Sequence, residues 1–144
     1  MSRSSLRWPL AAVVFALVVA VAGAEEGKKV PVLRKWDGQV KDETLRKASP
    51  VTGYIANEKD FEKLWKAWRP DEKAPKVDFK EELVVVGVAD GPNQVNVIPQ
   101  VNEKGDLSIL ARATLVGGPG FSYQIATIKR EGIKTVKGKP IANE

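Results

Sequence analysis

Four large apolar side chains recur between residues 57 and 68 at the spacing of one face of an α-helix. They lie at positions i, i+3, i+4 and i+7 and are Phe61, Leu64, Trp65 and Trp68. This spacing predicts an amphipathic helix. Asn57 is a good N-cap, Asp60 suits the first turn, and Pro70 prevents the helix from continuing. Because two tryptophans share so short a helix, we expect it to pack against a large partner surface such as a sheet.

The second half of the chain changes from helical to strand periodicity. Residues 83–88 form a continuous run rich in valine, which predicts a central strand covered on both faces. Asp90-Gly91-Pro92-Asn93 predicts a turn, and the alternating residues 95–101 predict a half-buried strand that Pro99 places near a sheet edge. Further strands are expected over residues 107–115, pointing Leu107 and Leu115 to the same face, and over residues 121–130.

Glu131-Gly132 predicts a two-residue hairpin, with residues 133–136 returning beside the preceding strand. Strands joined by short links predict an antiparallel meander. The expected fold is therefore α+β: an antiparallel β-meander of about five to seven strands with one amphipathic helix packed on one face.

The segment before the helix has weaker signals. Residues 30–40 predict a short strand followed by a turn at Asp37-Gly38. Residues 41–50 are polar and irregular, with one helical turn expected over residues 42–47. Residues 51–55 are a candidate strand that leads into the helix.

Residues 1–24 have the composition of a secretory signal peptide. Arg3 and Arg7 precede an apolar run, residues 10–22, and Ala22-Gly23-Ala24 is a cleavage site. The run is shorter than the roughly 20 residues of a spanning helix, so we expect cleavage rather than an uncleaved anchor. The predicted organisation is a signal peptide (1–24), an N-terminal extension with a short strand (25–50) and an α+β domain (51–144). The expected location is periplasmic or secreted, with no membrane contact after cleavage.

Charge and cysteine content limit the partners. The chain has 23 Lys and Arg against 18 Asp and Glu, and without Arg3 and Arg7 the net charge of residues 25–144 is +3. The lysines are interspersed with acids and there is no nucleic-acid motif, so DNA and RNA are not expected partners. With no cysteine, an exported chain must be held together by packing alone.

The chain also contains no histidine, which excludes His-based triads, while the lack of cysteine excludes thiolate nucleophiles and the usual zinc sets. A Ser–Lys pair, a carboxylate pair or an all-oxygen metal site stays open. Adjacent acids such as Glu81-Glu82 would point to opposite faces of a strand rather than converge. We therefore assign no catalytic, cofactor-binding or metal-binding residue, and we expect a protein that is not an enzyme.

Four residues are candidates for binding a partner: Trp36, Gly117, Gly118 and Gly120. An exposed tryptophan could stack on a sugar or fill a partner's pocket, although packing in the core also explains it and is the favoured interpretation. The glycines could present backbone N–H groups to an anion or to a partner's strand, or they could simply allow a tight connection between strands. The partner itself is expected to be an extracytoplasmic protein that the sequence does not identify.

Several short motifs resemble a known family. They are Phe61-x-x-Leu64-Trp65, Pro75-x-Val77-Asp78-Phe79, the strand start Glu82-x-Val84-Val85-Val86, Tyr123-Gln124-Ile125 and Ile128-x-Arg130. Over residues 52–136 the chain resembles the C-terminal domain of PrcB-type protease-complex subunits, shared by many small exported bacterial proteins. The resemblance implies an extracytoplasmic, non-catalytic accessory module that stabilises a protease or envelope complex. It implies no particular site residues.

Three functions follow as hypotheses. The first is an exported binding or assembly module, and the second is a binder of carbohydrate or envelope polymer that uses Trp36. The third is a hydrolase restricted to carboxylate, serine and lysine chemistry.

Overall fold

The predicted helix is present in the computed structural model, which describes residues 27–142. Helix α1 (Glu58–Trp68) buries all four residues of its apolar face. The Asn57 side-chain oxygen accepts a hydrogen bond from the Asp60 N–H at 2.8 Å, which satisfies one donor of the first turn. The Arg69 N–H donates to Trp65 O, and Pro70 follows where the helix ends. The predicted signal peptide lies outside the described residues.

β-Strands make up 43% of the described residues, and the predicted α+β class with antiparallel strands and one packed helix is confirmed. The strands are β1 (Lys28–Lys29), β2 (Val32–Val40), β3 (Tyr54–Ile55), β4 (Glu82–Asp90), β5 (Val95–Val101), β6 (Asp106–Ala113), β7 (Phe121–Lys129), β8 (Thr135–Val136) and β9 (Lys139–Pro140). Four of these strands have only two residues, so five long strands make up most of the sheet structure.

The strands divide between two sheets, a feature that the sequence patterns do not predict. The helix-side sheet has the order β2-β7-β4-β3, and the outer sheet has the order β1-β5-β6-β8-β9. All pairings are antiparallel except β6 with β8. The chain therefore changes sheet four times, between β1 and β2, between β4 and β5, between β6 and β7, and between β7 and β8.

The helix and the two sheets form three layers with two apolar cores. Val84 and Val86 of β4 join the cluster beneath α1, whereas Leu83 and Val85 join the cluster between the sheets. The expectation of a central strand covered on both faces is confirmed. The sheets approach closely at Gly87, where an added Cβ would lie 2.7 Å from Cγ2 of Val97. A larger residue there would force the layers apart.

The N-terminal segment belongs to the same fold instead of forming an extension. β1 pairs with β5 in the outer sheet, and β2 pairs with β7 along its whole length in the helix-side sheet. The predicted turn at Asp37-Gly38 is wrong, since both residues lie within the continuous strand β2. The glycine serves a close contact, because a Cβ at Gly38 would lie 2.3 Å from the Tyr123 hydroxyl oxygen.

Between β2 and α1 the chain is helical, as predicted, but it forms a six-residue 3-10 helix, Glu43–Ala48, of about two turns rather than one. The Asp42 side chain caps it by accepting from the Thr44 N–H at 3.0 Å. The predicted strand over residues 51–55 is shorter than expected. Only Tyr54–Ile55 pairs, and Val51 is fully exposed.

The predicted hairpin at Glu131-Gly132 is wrong. Residues 135–136 do not return beside β7 but pair in parallel with β6 of the other sheet. The two-residue hairpin is at Lys137-Gly138, between β8 and β9. Glu131-Gly132 therefore lies in a connection between the two sheets. Long-range packing, and not this dipeptide, determines which strand β8 pairs with.

Candidate functional site

The structure places the four candidate binding residues in two separate regions. Trp36 lies in the middle of β2, while the three glycines lie in the connection between β6 and β7. That connection ends against Val40, four residues along β2 from Trp36 and so roughly 13 Å away. The four residues therefore do not form one site.

Trp36 is half-buried and packs mainly against the molecule's own side chains. Its ring meets Trp65 edge-to-face with 5.4 Å between centroids and lies 6.5 Å from the Phe61 ring. The Arg34 guanidinium lies 5.4 Å from its centroid. Because these contacts occupy much of the indole, packing of β2 against α1 explains this tryptophan without a ligand.

The three glycines differ in what the fold requires of them. Gly120 has φ +75°, and an added Cβ would lie 2.2 Å from Val40 O. At Gly118 an added Cβ would lie 2.7 Å from Cδ of Pro92, whereas at Gly117 it would meet nothing within 4 Å. Backbone geometry and close packing thus explain Gly118 and Gly120. Gly117 is free of such constraints.

Asn93 holds this connection in place. Its side-chain oxygen accepts from the Val116 N–H at 2.7 Å and from the Thr114 hydroxyl at 2.9 Å. Its side-chain nitrogen donates to Val116 O at 3.0 Å. The Asn93 N–H itself donates to the Ser122 hydroxyl oxygen at 2.9 Å, so the loop, the 90–93 turn and the start of β7 form one network.

This network presents two apolar side chains to solvent. Leu115 is 100% exposed and Val116 is 54% exposed. The prediction of one strand over residues 107–115 that points Leu107 and Leu115 to the same face is wrong at Leu115, since β6 ends at Ala113 before reaching it. We call Leu115 and Val116 the apolar tip. It is an apolar surface on a backbone that is already ordered.

A second set of contacts, made by Arg46, fixes the 90–93 turn that anchors the apolar tip. Arg46 of the 3-10 helix pairs with Glu43 at 3.1 Å and also with Asp90 at the end of β4. Its guanidinium lies 5.7 Å from the Phe121 ring centroid. These contacts connect residues 43–48 to the 90–93 turn that carries Asn93.

A polar cleft of about 330 Å³ lies next to the apolar tip, with Asn93 bordering both. Its wall carries the side chains of Gln94 and Asn96 and of Lys35 and Asp37. Gln124 is among its lining residues and is only 3% exposed. The cleft therefore offers several amide donors and acceptors around a single acid and a single lysine.

Gln124 links the sheets at this cleft. Its Oε1 accepts from the Val97 N–H of the outer sheet at 2.8 Å, and its Nε2 donates to Asp37 Oδ1 at 2.7 Å. Each polar atom of the buried amide thus has a partner, as burial requires.

Arg69 and Tyr123 connect α1 to the strand that borders the cleft. Arg69 Nη1 donates to Asp37 O and to the Tyr123 hydroxyl, each at 3.0 Å. Hydrogen bonding to Glu72 raises the pKa of Arg69, and burial raises the pKa of Tyr123. Both groups therefore keep their usual protonation states at neutral pH, and the arrangement serves as a structural clamp.

A larger groove, about 930 Å³, lies at the opposite end of α1 beside Asn57. Two of its charged groups are engaged by the fold, because Arg130 Nη1 donates to Phe79 O at 2.9 Å and Glu82 pairs with Arg34 at 3.4 Å. Within residues 27–142, no three His, Cys, Asp or Glu side chains are grouped so that they could bind a metal ion. Over the same range, no helix has the length and hydropathy to span a membrane.

Sequence reasoning does not find the two exposed apolar residues of this region or the asparagine that anchors them. The available signal was the pair Leu115-Val116 directly before Gly117-Gly118-Pro119, since two large apolar residues entering a glycine turn rarely continue a strand. Asn93 was assigned to a turn, and only the tertiary contact with the 114–116 segment shows its second role.

No family model, no curated protein and no solved structure matches this chain. The likeness to the PrcB-type C-terminal domain thus stays a prediction from sequence motifs.

Proposed function

We propose that this protein is an exported, non-catalytic binding or assembly module that docks an envelope protein through the apolar tip. The single observation that supports it most is the full exposure of Leu115 on a loop whose backbone is fixed by Asn93. Exposed leucine is common on protein surfaces, but a fully exposed leucine beside a half-exposed valine on an anchored loop forms a compact contact.

The anchoring favours binding for an energetic reason. A mobile loop loses conformational entropy when a partner immobilises it, and the Asn93 hydrogen bonds have already ordered the backbone of residues 114–116. Burial of one leucine side chain contributes about 1.5–3 kcal/mol, which is the size of an interface hot spot. The tip would thus act as a central anchor within a wider contact.

The predicted signal peptide and the motif likeness support an extracytoplasmic partner. The likeness favours a protease or another envelope complex, and we propose such a complex as the first candidate partner.

The test uses residues 25–144 immobilised and incubated with solubilised envelope proteins from the source organism. We expect Leu115→Ser to abolish retention of a specific partner, because it replaces the apolar side chain that the partner would bury. Leu110→Ser is the matched control, since Leu110 is 50% exposed on the outer sheet. Equal recovery with both variants, or no specific recovery with the unaltered protein, contradicts the proposal.

The polar cleft favours a second candidate function, binding of a carbohydrate. Exposed amide side chains such as Gln94 and Asn96 suit the paired donors and acceptors of sugar hydroxyls. We expect titration with soluble cell-wall glycan fragments to shift the backbone amide NMR signals of residues 93–96, and Asn96→Ala to weaken that response. If no signal around the cleft moves at millimolar glycan, this candidate fails, whatever happens at the apolar tip.

A further inference from the structure

Lysines are concentrated at one end of the outer sheet. Six of them are exposed there, and we call them the basic edge: Lys28, Lys29, Lys104, Lys134, Lys137 and Lys139. They come from β1, from the 102–105 turn and from the β8–β9 hairpin, so only the tertiary fold brings them together.

Strand register shows how the basic edge is laid out. One row of paired residues runs directly across the outer sheet, from Lys28 through Val101, Leu107 and Val136 to Lys139. With about 4.8 Å between neighbouring strands, the Cα atoms of the two terminal lysines are roughly 19 Å apart. Lys104 and Lys134 are linked through the intervening turn, since the Lys134 N–H donates to Gly105 O at 2.8 Å.

Few acids offset this charge. Among the described residues, no lysine of the basic edge forms an ion pair. The neighbouring carboxylates are Glu103 and Asp106, and Asp106 accepts from the Thr135 hydroxyl at 2.6 Å and from the Gly138 N–H at 2.7 Å. Glu131 lines a different groove together with Lys129. Among residues 27–142, the six lysines and these two acids, Glu103 and Asp106, sum to +4.

The backbone at the tip of the β8–β9 hairpin is strained at Lys137, and folding does not require a lysine at this position. Lys137 has φ +49°, the one positive φ at a non-glycine residue within residues 27–142, and Gly138 follows with φ +78°. Two-residue turns with both φ angles positive favour Asn-Gly. A lysine in that first position is strained. Its side chain is placed at the exposed tip of the hairpin, which is held by the hydrogen bond from the Gly138 N–H to Asp106.

We propose that the basic edge binds a linear polyanion, an envelope polymer that carries phosphate or carboxylate groups along its length. The lysines at the two ends of this row lie roughly 19 Å apart with apolar residues between them, and Lys104 and Lys134 lie at the turn beside the row. Positive charges spread over that distance suit several successive charges of one extended chain. A bilayer surface is less well matched, because the large apolar residues exposed elsewhere are not part of this edge, and surface binding to lipid depends on buried apolar area as well as charge. This proposal does not depend on the function of the apolar tip.

The test compares two triple variants of residues 25–144 that have the same net charge. Lys134→Gln/Lys137→Gln/Lys139→Gln removes half of the basic edge, while Lys59→Gln/Lys63→Gln/Lys66→Gln removes three exposed lysines from α1. Binding to linear polyphosphate is measured over a series of salt concentrations. We expect the hairpin variant to bind at least tenfold more weakly and the slope of log K against log salt to fall by about 2, since each lost phosphate contact contributes about 0.7–0.9. We expect the α1 variant to bind like the unaltered protein.

Polygalacturonate and neutral dextran identify the chemistry that is recognised. Binding to both polyanions indicates recognition of charge density, binding to polyphosphate alone indicates phosphate recognition, and either result supports the proposal. Equal loss of binding in the two triple variants overturns it, because net charge alone would then be responsible. Binding to phosphatidylglycerol vesicles without binding to either soluble polymer also overturns it, in favour of a membrane surface.

A single substitution separates binding from folding. Lys137→Asn relieves the backbone strain at the tip, so we expect a higher unfolding temperature together with weaker binding to polyphosphate. Unchanged affinity in this variant and in the hairpin triple variant would show that the hairpin lysines make no contact with the polymer.

Discussion

At the scale of single residues, the glycines of the 114–120 connection differ in whether the fold requires a glycine. Gly120 has a left-handed backbone and no room for a side chain against Val40 O. Gly117 directly follows the apolar tip, in open space, with a backbone conformation that other residues can adopt. Identical residues in one short segment therefore have different physical roles. The two roles are separable by the same substitution.

Alanine at each position tests this contrast. We expect Gly120→Ala to lower the free energy of unfolding by about 2–4 kcal/mol, because backbone strain and overpacking act together. We expect Gly117→Ala to leave stability unchanged or to raise it by about 0.4–1 kcal/mol, because it reduces the freedom of the unfolded chain. Chemical denaturation followed by tryptophan fluorescence measures both. Similar losses in the two variants would show that the whole loop, rather than Gly120 alone, is conformationally restricted.

At the scale of elements, local sequence patterns correctly predict those features that depend on interactions between residues close in the chain. The apolar face of α1, its Asn57 cap and the covered strand β4 follow from spacing and from nearby residues, and all three are confirmed. The Glu131-Gly132 hairpin failed because β8 finds its partner in β6, a contact that no nearby residue specifies. The Asp37-Gly38 turn failed because Gly38 makes room for the Tyr123 ring.

The candidate site was less predictable than the fold for the same reason. Glycines and a tryptophan are conspicuous in a sequence, yet Trp36, Gly118 and Gly120 are explained by contacts within the molecule. Leu115 looked like the end of an alternating strand, and only the early end of β6 leaves it exposed. Surface function in this protein depends on where elements stop, and the sequence specifies element ends less sharply than element interiors.

At the scale of the whole molecule, the two sheets depend on a few interactions that cross between them. Apolar packing around Leu83 and Val85 provides most of the contact, and Gly87 allows the layers to approach. Gln124 adds directionality, since a side chain of the helix-side sheet accepts the Val97 N–H of the outer sheet. A backbone donor at a strand edge is thereby satisfied without a neighbouring strand.

Removing this link should loosen the outer sheet locally. We expect Gln124→Ala to destabilise the protein by about 1–3 kcal/mol, because it leaves the Val97 N–H without its acceptor and Asp37 without a donor. Gln39→Ala is the matched control, since Gln39 is exposed on β2.

Native-state hydrogen exchange gives the decisive measurement. In Gln124→Ala the Val97 amide should exchange faster by a larger factor than the amides at the centre of β7, because a local bond is lost in addition to global stability. Uniform acceleration of all amides would show that Gln124 only adds to overall stability. Selective acceleration at Val97 would establish that one buried amide fixes the alignment of the two sheets, and with it the shape of the polar cleft that Gln124 lines.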